Sequence, residues 1–230
     1  MFIAFNATAH AQSFSNLYTP TPVGGGEIFL NPDQGEAQAF VTGSDASGYA
    51  LTNVQLEINT EGTPAGPMSV SIYTASEGSV GSLASNGVLS GNAFPSTGST
   101  FYTDGIYTWE PENGTTVFLA PSTEYWIVAS ADTTANLSSE IYYEWNLSGT
   151  TPTATGGWSA PTSWDASEDG GASWALVTFP SGVPLSFSVS ATDFSAAPEP
   201  STWALLLGGL GLLAFWRGHP RRAFRQRRES

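Results

Sequence analysis

Apolar and polar residues alternate with a period of two in several short stretches of the chain. Val54, Leu56 and Ile58 enclose Gln55 and Glu57, and Leu51 stands just ahead of them. Met68, Val70 and Ile72 enclose two serines, and Leu185, Phe187 and Val189 enclose two more. That spacing puts every second side chain on one face of an extended strand. Denser apolar runs at residues 124–129, 141–145 and 174–177 complete the set, with weaker ones at 38–41 and 116–119. Turn-rich segments lie between them, at 62–67, 112–114 and 148–157. No window before the C-terminal region keeps a helical period for more than two turns, and no fixed-period repeat is present. The pattern predicts an all-β fold, an antiparallel β-sandwich of jelly-roll type, with a β-barrel as the alternative. A single C-terminal hydrophobic helix is expected to follow it.

The pattern changes near the end. Residues 203–216 read WALLLGGLGLLAFW and are apolar on every side. As a helix, residues 201–216 would rise about 24 Å against a hydrocarbon core of about 30 Å. That is short for a permanent span, but local thinning and snorkelling arginines accommodate it. Trp203 and Trp216 mark its two ends, where interfacial aromatics belong. Arg217, Arg221, Arg222, Arg225, Arg227 and Arg228 follow at once and orient the tail to the cytoplasm and the body to the outside. A buried core helix is the competing reading, and the arginine tail argues against it. Pro198, Glu199 and Pro200 precede the run, in a linker of small residues and prolines.

The first residues, MFIAFNATAHAQ, lean apolar and contain Ala9-His10-Ala11, the small-x-small pattern of a secretory cleavage site. No positive n-region is present and the apolar run is short. The segment is therefore expected to be the back half of a signal peptide whose start lies upstream; an ordinary apolar N-terminus is the alternative. The expected organisation is a signal remnant over 1–11, a β-sandwich over 12–194, and a sorting region over 195–230.

Charge sharpens this picture. The formal net charge is −14, with 20 acidic and 6 basic residues. The basic residues are the six arginines already named, so residues 1–216 carry no Arg or Lys, and residues 11–216 also lack His and Cys. A thiol nucleophile, a histidine base, a Schiff-base lysine and a Cys/His zinc site are thereby excluded from the body. A nucleic-acid partner is excluded too, because phosphate neutralisation needs basic side chains. The acidic body stays soluble and attracts divalent cations. Absence of cysteine excludes a disulfide framework and says nothing of the redox compartment.

Pro198-Glu199-Pro200, the apolar run and the arginine cluster, in that order, closely resemble the PEP-CTERM sorting signal. The resemblance implies recognition by an exosortase, a membrane transpeptidase that removes the helix and arginines. It also implies export across the inner membrane of a Gram-negative bacterium, transient anchoring there, and delivery to the cell surface or exopolysaccharide matrix. The sorting residues would be a substrate of that enzyme. The stretches at 38–43, 49–54, 69–73, 119–126 and 164–174 are similar, in order, to choice-of-anchor domains of the R type. No common enzymatic activity comes with that resemblance.

Candidate chemistry in the body is sparse. Ser167-Glu168-Asp169-Gly170-Gly171-Ala172-Ser173-Trp174 fits the Asp-box pattern S-x-D-x-G-x-[ST]-W, a hairpin device in which Asp accepts turn hydrogen bonds and Gly takes positive φ. A sialidase reading fails because the body has no arginine to hold a substrate carboxylate. Trp158 and Trp164, in a Gly/Ser/Thr/Pro-rich segment, are expected at the surface, where they could stack on sugar rings. Trp126, Trp145 and Trp174 are expected in the core. Glu140 with Glu144, or Asp165 with Asp169, are the nominal pairs for a glycosidase. A calcium site from Asp165, Glu168 and Asp169 is the one cofactor option; solvated acidic loops are its plain alternative.

The expectation is thus a non-enzymatic surface or matrix protein, structural or adhesive in an exopolysaccharide biofilm. Its partners would be an exosortase-type transpeptidase, the inner membrane and matrix polysaccharide. The alternatives are a carbohydrate-binding module and, further off, a carboxylate glycosidase.

Overall fold

A computed structural model of the chain describes residues 11–17, 27–30, 33–61, 68–91, 105–131, 142–148, 152–177 and 184–194, with Leu210. The chain divides into two units, Met1–Phe194 and Ser195–Ser230. The C-terminal helix expected from the apolar run lies outside the described residues apart from Leu210.

Among the described residues the first unit is all β. Its strands are β1 (Ala11–Ser15), β2 (Glu27–Leu30), β3 (Gly35–Val41), β4 (Tyr49–Glu61), β5 (Met68–Ser76), β6 (Ser79–Gly91) and β7 (Gly105–Pro111). Next come β8 (Phe118–Leu119), β9 (Glu124–Ala131), β10 (Tyr142–Asn146), β11 (Thr153–Ala154), β12 (Trp164–Ser167), β13 (Ala175–Val177) and β14 (Phe187–Asp193). They form one open antiparallel sheet in the order β11-β1-β14-β4-β7-β6-β5-β9-β3-β12-β13. Off that path, β8 and β10 pair with β4, and β2 pairs with β10.

Two separate sheets, as a sandwich would have, are not what the hydrogen bonds show. The reason is β6. This long strand pairs with β5 through most of its length and with β7 at Leu89–Gly91. It carries the ladder from one half of the body to the other. Gly91 is required at that crossing: a Cβ there would lie 2.1 Å from Trp109 Nε1.

The sheet curls back on itself. Phe14, Val54, Leu56, Trp109 and Phe187 from one half share a single core with Phe40, Val70, Ile72 and Ile127 from the other. Phe14 and Phe187 stack with centroids 5.0 Å apart. Gln38 on β3 ties the halves by polar contact. Its Oε1 accepts from the Leu185 N–H at 2.9 Å, and its Nε2 donates to the carbonyls of Pro161 and Ser163. A buried amide with its donors and acceptor all used stabilises one arrangement of the curl rather than many.

The dense apolar run of β9 also has its explanation here. One of its faces enters the main core, while Trp126 and Val128 on the other join Ala37 and Ala39 in a second, smaller cluster. Tyr73, Ala75, Val80 and Trp174 cover that cluster. A strand buried on both faces has no polar alternate positions to show.

Candidate functional site

The polar chemistry of the body gathers first at the β12–β13 hairpin. Ser167 donates from Oγ to Asp169 Oδ1 at 2.8 Å and accepts at the same oxygen from the Gly171 N–H. Asp169 takes the Ser173 N–H on Oδ1 and the Ser173 hydroxyl on Oδ2, at 2.8 and 2.6 Å. Those bonds, led by the Ser173 hydroxyl, hold the Asp169 carboxyl down at about 2. Gly170 and Gly171 adopt φ of 69° and 89°, as the turn needs. The Gly170 N–H donates to the Asp33 carbonyl, and the Trp174 ring lies close over Gly35. The motif clamps the start of β3. Its aspartate is spent on the hairpin.

Asp165 points elsewhere. It pairs with Ala37 across β3 and is fully buried on the face of the smaller cluster. Its Oδ2 accepts from the Ser79 hydroxyl and from the Val80 N–H, which pins the β5–β6 hairpin over that cluster. Asp165 and Asp169 therefore serve different structural contacts. They do not converge on a calcium position. Glu144 is buried and accepts from Asn59 Nδ2 at 2.8 Å, while Glu140 lies outside the described residues. Among the described residues no three His, Cys, Asp or Glu gather where a metal ion would sit.

The expected exposure of Trp158 and Trp164 is overturned. Both are buried, at 3% and 4% of full exposure. Ser159 exchanges two backbone hydrogen bonds with Val41, which makes residues 158–160 a short extension of the β3 edge. Trp158 then turns into the core, stacked on Phe40 at 5.9 Å and edge-on to Tyr49 at 5.1 Å. Trp164 lies opposite Gln38 on β12 and faces the same core. Neither ring presents a face to a sugar. Trp126 and Trp145 are buried as expected, and Trp174 is half-buried.

Two acids, Glu36 and Glu57, are buried at positions the sequence pattern marks as polar. Glu36 shares the core face of β3 with Gln38 and Phe40 and is 5% exposed. Its Oε2 has no hydrogen-bond partner among the described residues, and burial pushes its carboxyl up to about 9. Ala37, Ala39 and Val41 mark the opposite face of β3 as the apolar one, so Glu36 reads as a surface position in the sequence.

The two ends of the body meet. β1 runs antiparallel beside β14, with Ala11 opposite Thr192 and Ser15 opposite Ser188. Ala11, the residue before the expected cleavage point, opens β1, so cleavage there leaves the rest of that strand in place. Ala9 lies outside the described residues, as do Pro198, Glu199, Pro200, Trp203, Trp216 and the six arginines. Among the described residues no helix is long and apolar enough to cross a membrane.

Comparison with known proteins bears on the far end. Residues 196–222 match the PEP-CTERM protein-sorting motif. No curated protein matches the chain. The motif takes in Pro198, Glu199, Pro200, the apolar run and Arg217, Arg221 and Arg222. It marks a protein exported and sorted to the cell surface by an exosortase, a membrane enzyme.

Proposed function

We propose that this protein is a non-enzymatic surface or matrix component. Its body would be a curled antiparallel β domain of choice-of-anchor type, delivered by its C-terminal signal to the exopolysaccharide of a Gram-negative biofilm. The observation that carries this reading is the sorting motif at residues 196–222. The body supports it by what its polar groups do. Asp165 and Asp169 hold hairpins, Glu144 is bonded to Asn59, and no Cys, His, Lys or Arg lies between residues 11 and 216. Asp165 and Asp169, nominated for a hydrolase, are engaged in hairpin contacts, and Trp158 and Trp164, nominated for sugar stacking, are buried.

In this account the tail enters the inner membrane by residues 201–216, with the arginines left in the cytoplasm, and is removed near Pro-Glu-Pro. The expression host for a test is one that carries an exosortase. Deleting residues 198–200 is expected to leave a full-length chain in the membrane fraction, while the unaltered chain is shortened and leaves it. Equal shortening of both would remove the role given to Pro198, Glu199 and Pro200.

A further inference from the structure

At the end of the body where β1 begins and β14 finishes, two aromatic rings are partly exposed. Phe194 closes the body, and its N–H donates to the Gly48 carbonyl at 2.8 Å. Phe118, opposite Ala50 on β8, meets the Phe194 ring edge-on with centroids 5.1 Å apart and planes at 79°. Gly48 makes this packing available. Its φ is 73°, and a Cβ there would lie 2.6 Å from Phe118 Cζ and 2.8 Å from the Leu119 carbonyl. Phe118 is nevertheless 46% exposed and Phe194 37%. Folding has fixed two large apolar rings in place and left a large part of each exposed.

Their position in the chain says what meets them. Only residues 195–200 separate Phe194 from the start of the apolar run at Ser201. Fully extended, six residues reach at most about 20 Å. With residues 201–216 in the bilayer, the ring pair is held within reach of the lipid headgroups. We propose that Phe118 and Phe194 form a lipid-facing contact that seats this end of the body on the membrane until the tail is removed. This rests on the reading that the tail enters the membrane.

The contact is apolar and suits zwitterionic lipid. Asp45 and Asp193 lie at the same end, and the body holds no basic residue to attract an anionic surface. Two rings would bind a free protein weakly, but a short tether raises the effective concentration of the surface into the millimolar range. Removing the tail therefore releases the body.

The test uses the full chain in phosphatidylcholine vesicles, with a photoreactive phenylalanine analogue placed singly at position 118, 176 or 203. Leu176 is 60% exposed on β13 and serves as the body control. The expected result is lipid labelling at 203 and at 118, the latter on the order of tenfold above 176. Labelling at 203 with 118 no higher than 176 would overturn the contact and leave the tail in the membrane. Absence of labelling at 203 would overturn the membrane reading itself, and the contact with it.

Discussion

Phe14 and Phe187 stack at 5.0 Å between neighbouring strands, and through them the first described strand grips the last. Asn16 reinforces the grip. Its Nδ2 donates to the Leu185 carbonyl and its Oδ1 accepts the Phe187 N–H at 2.7 Å. The segment next to the expected N-terminal cleavage point therefore holds the strand that leads into the sorting tail. Truncating Phe14 to Ala should cost about 3–5 kcal/mol, the range for a buried aromatic. Urea unfolding measures this directly. A loss near zero would mean that β1 is not part of the cooperative unit.

Chains beginning at Gln12 and at Asn16 should differ sharply in the same assay. The first keeps the pairing of Gln12–Ser15 with β14; the second loses β1 and exposes Phe187. Equal midpoints would contradict the structural role of β1.

Trp158 gives a prediction that separates packing from sugar binding. Trp158→Ala should destabilise the fold by about 3–5 kcal/mol by emptying the space against Phe40 and Tyr49. A variant that melts like the parent but binds matrix polysaccharide less well would return Trp158 to the surface.

Much of this architecture is legible in the sequence, for a definite reason. β4, β5 and β14 each put one face in the core, so Val54-Leu56-Ile58, Met68-Val70-Ile72 and Phe187-Val189 alternate cleanly. β6 does not, because Ala84, Gly87 and Leu89 alone are buried along its length while Leu83 and Val88 face outward. β11 is two residues long, and β12 is recognisable as a strand only once β3 lies beside it. The burial of Trp158 depends on its neighbour Ser159 bonding to Val41, far away in the chain, and no local pattern carries that information. The sorting signal is the opposite case: it is a contiguous stretch, residues 196–222, so its residues are legible without a fold.

Glu36 should make the protein less stable as the pH rises. Its carboxyl is pushed up to about 9 in the fold, against an ordinary value of 4.5. Between those values the folded state keeps a proton that the unfolded chain releases, so stability from this group is full below about 4.5, falls through the window and levels above 9. Glu36→Gln stays neutral throughout. Its melting temperature should match the parent near the bottom of the window and exceed it progressively above. Parallel curves would contradict the burial of Glu36.

Asp169 contributes to the acid limb. Its contribution to the hairpin is present above its ordinary value of 3.8 and is lost as the pH falls toward about 2. The Ser173 hydroxyl is the first cause of that depression, so Ser173→Ala should raise the carboxyl toward the ordinary value. Carbon-detected NMR titration of Asp169 reads it. An unmoved titration would mean that Ser173 does not hold the carboxylate in solution.

The central claim is that the chain is a sorted surface protein. It is tested most directly by the intact mass of the protein recovered from the outside of cells that express it with an exosortase. The expected species begins at about Gln12 and ends near Pro200, without the apolar run and arginines. A chain that keeps residues 201–230 and stays in the inner membrane would contradict it, and would make the apolar run a permanent anchor.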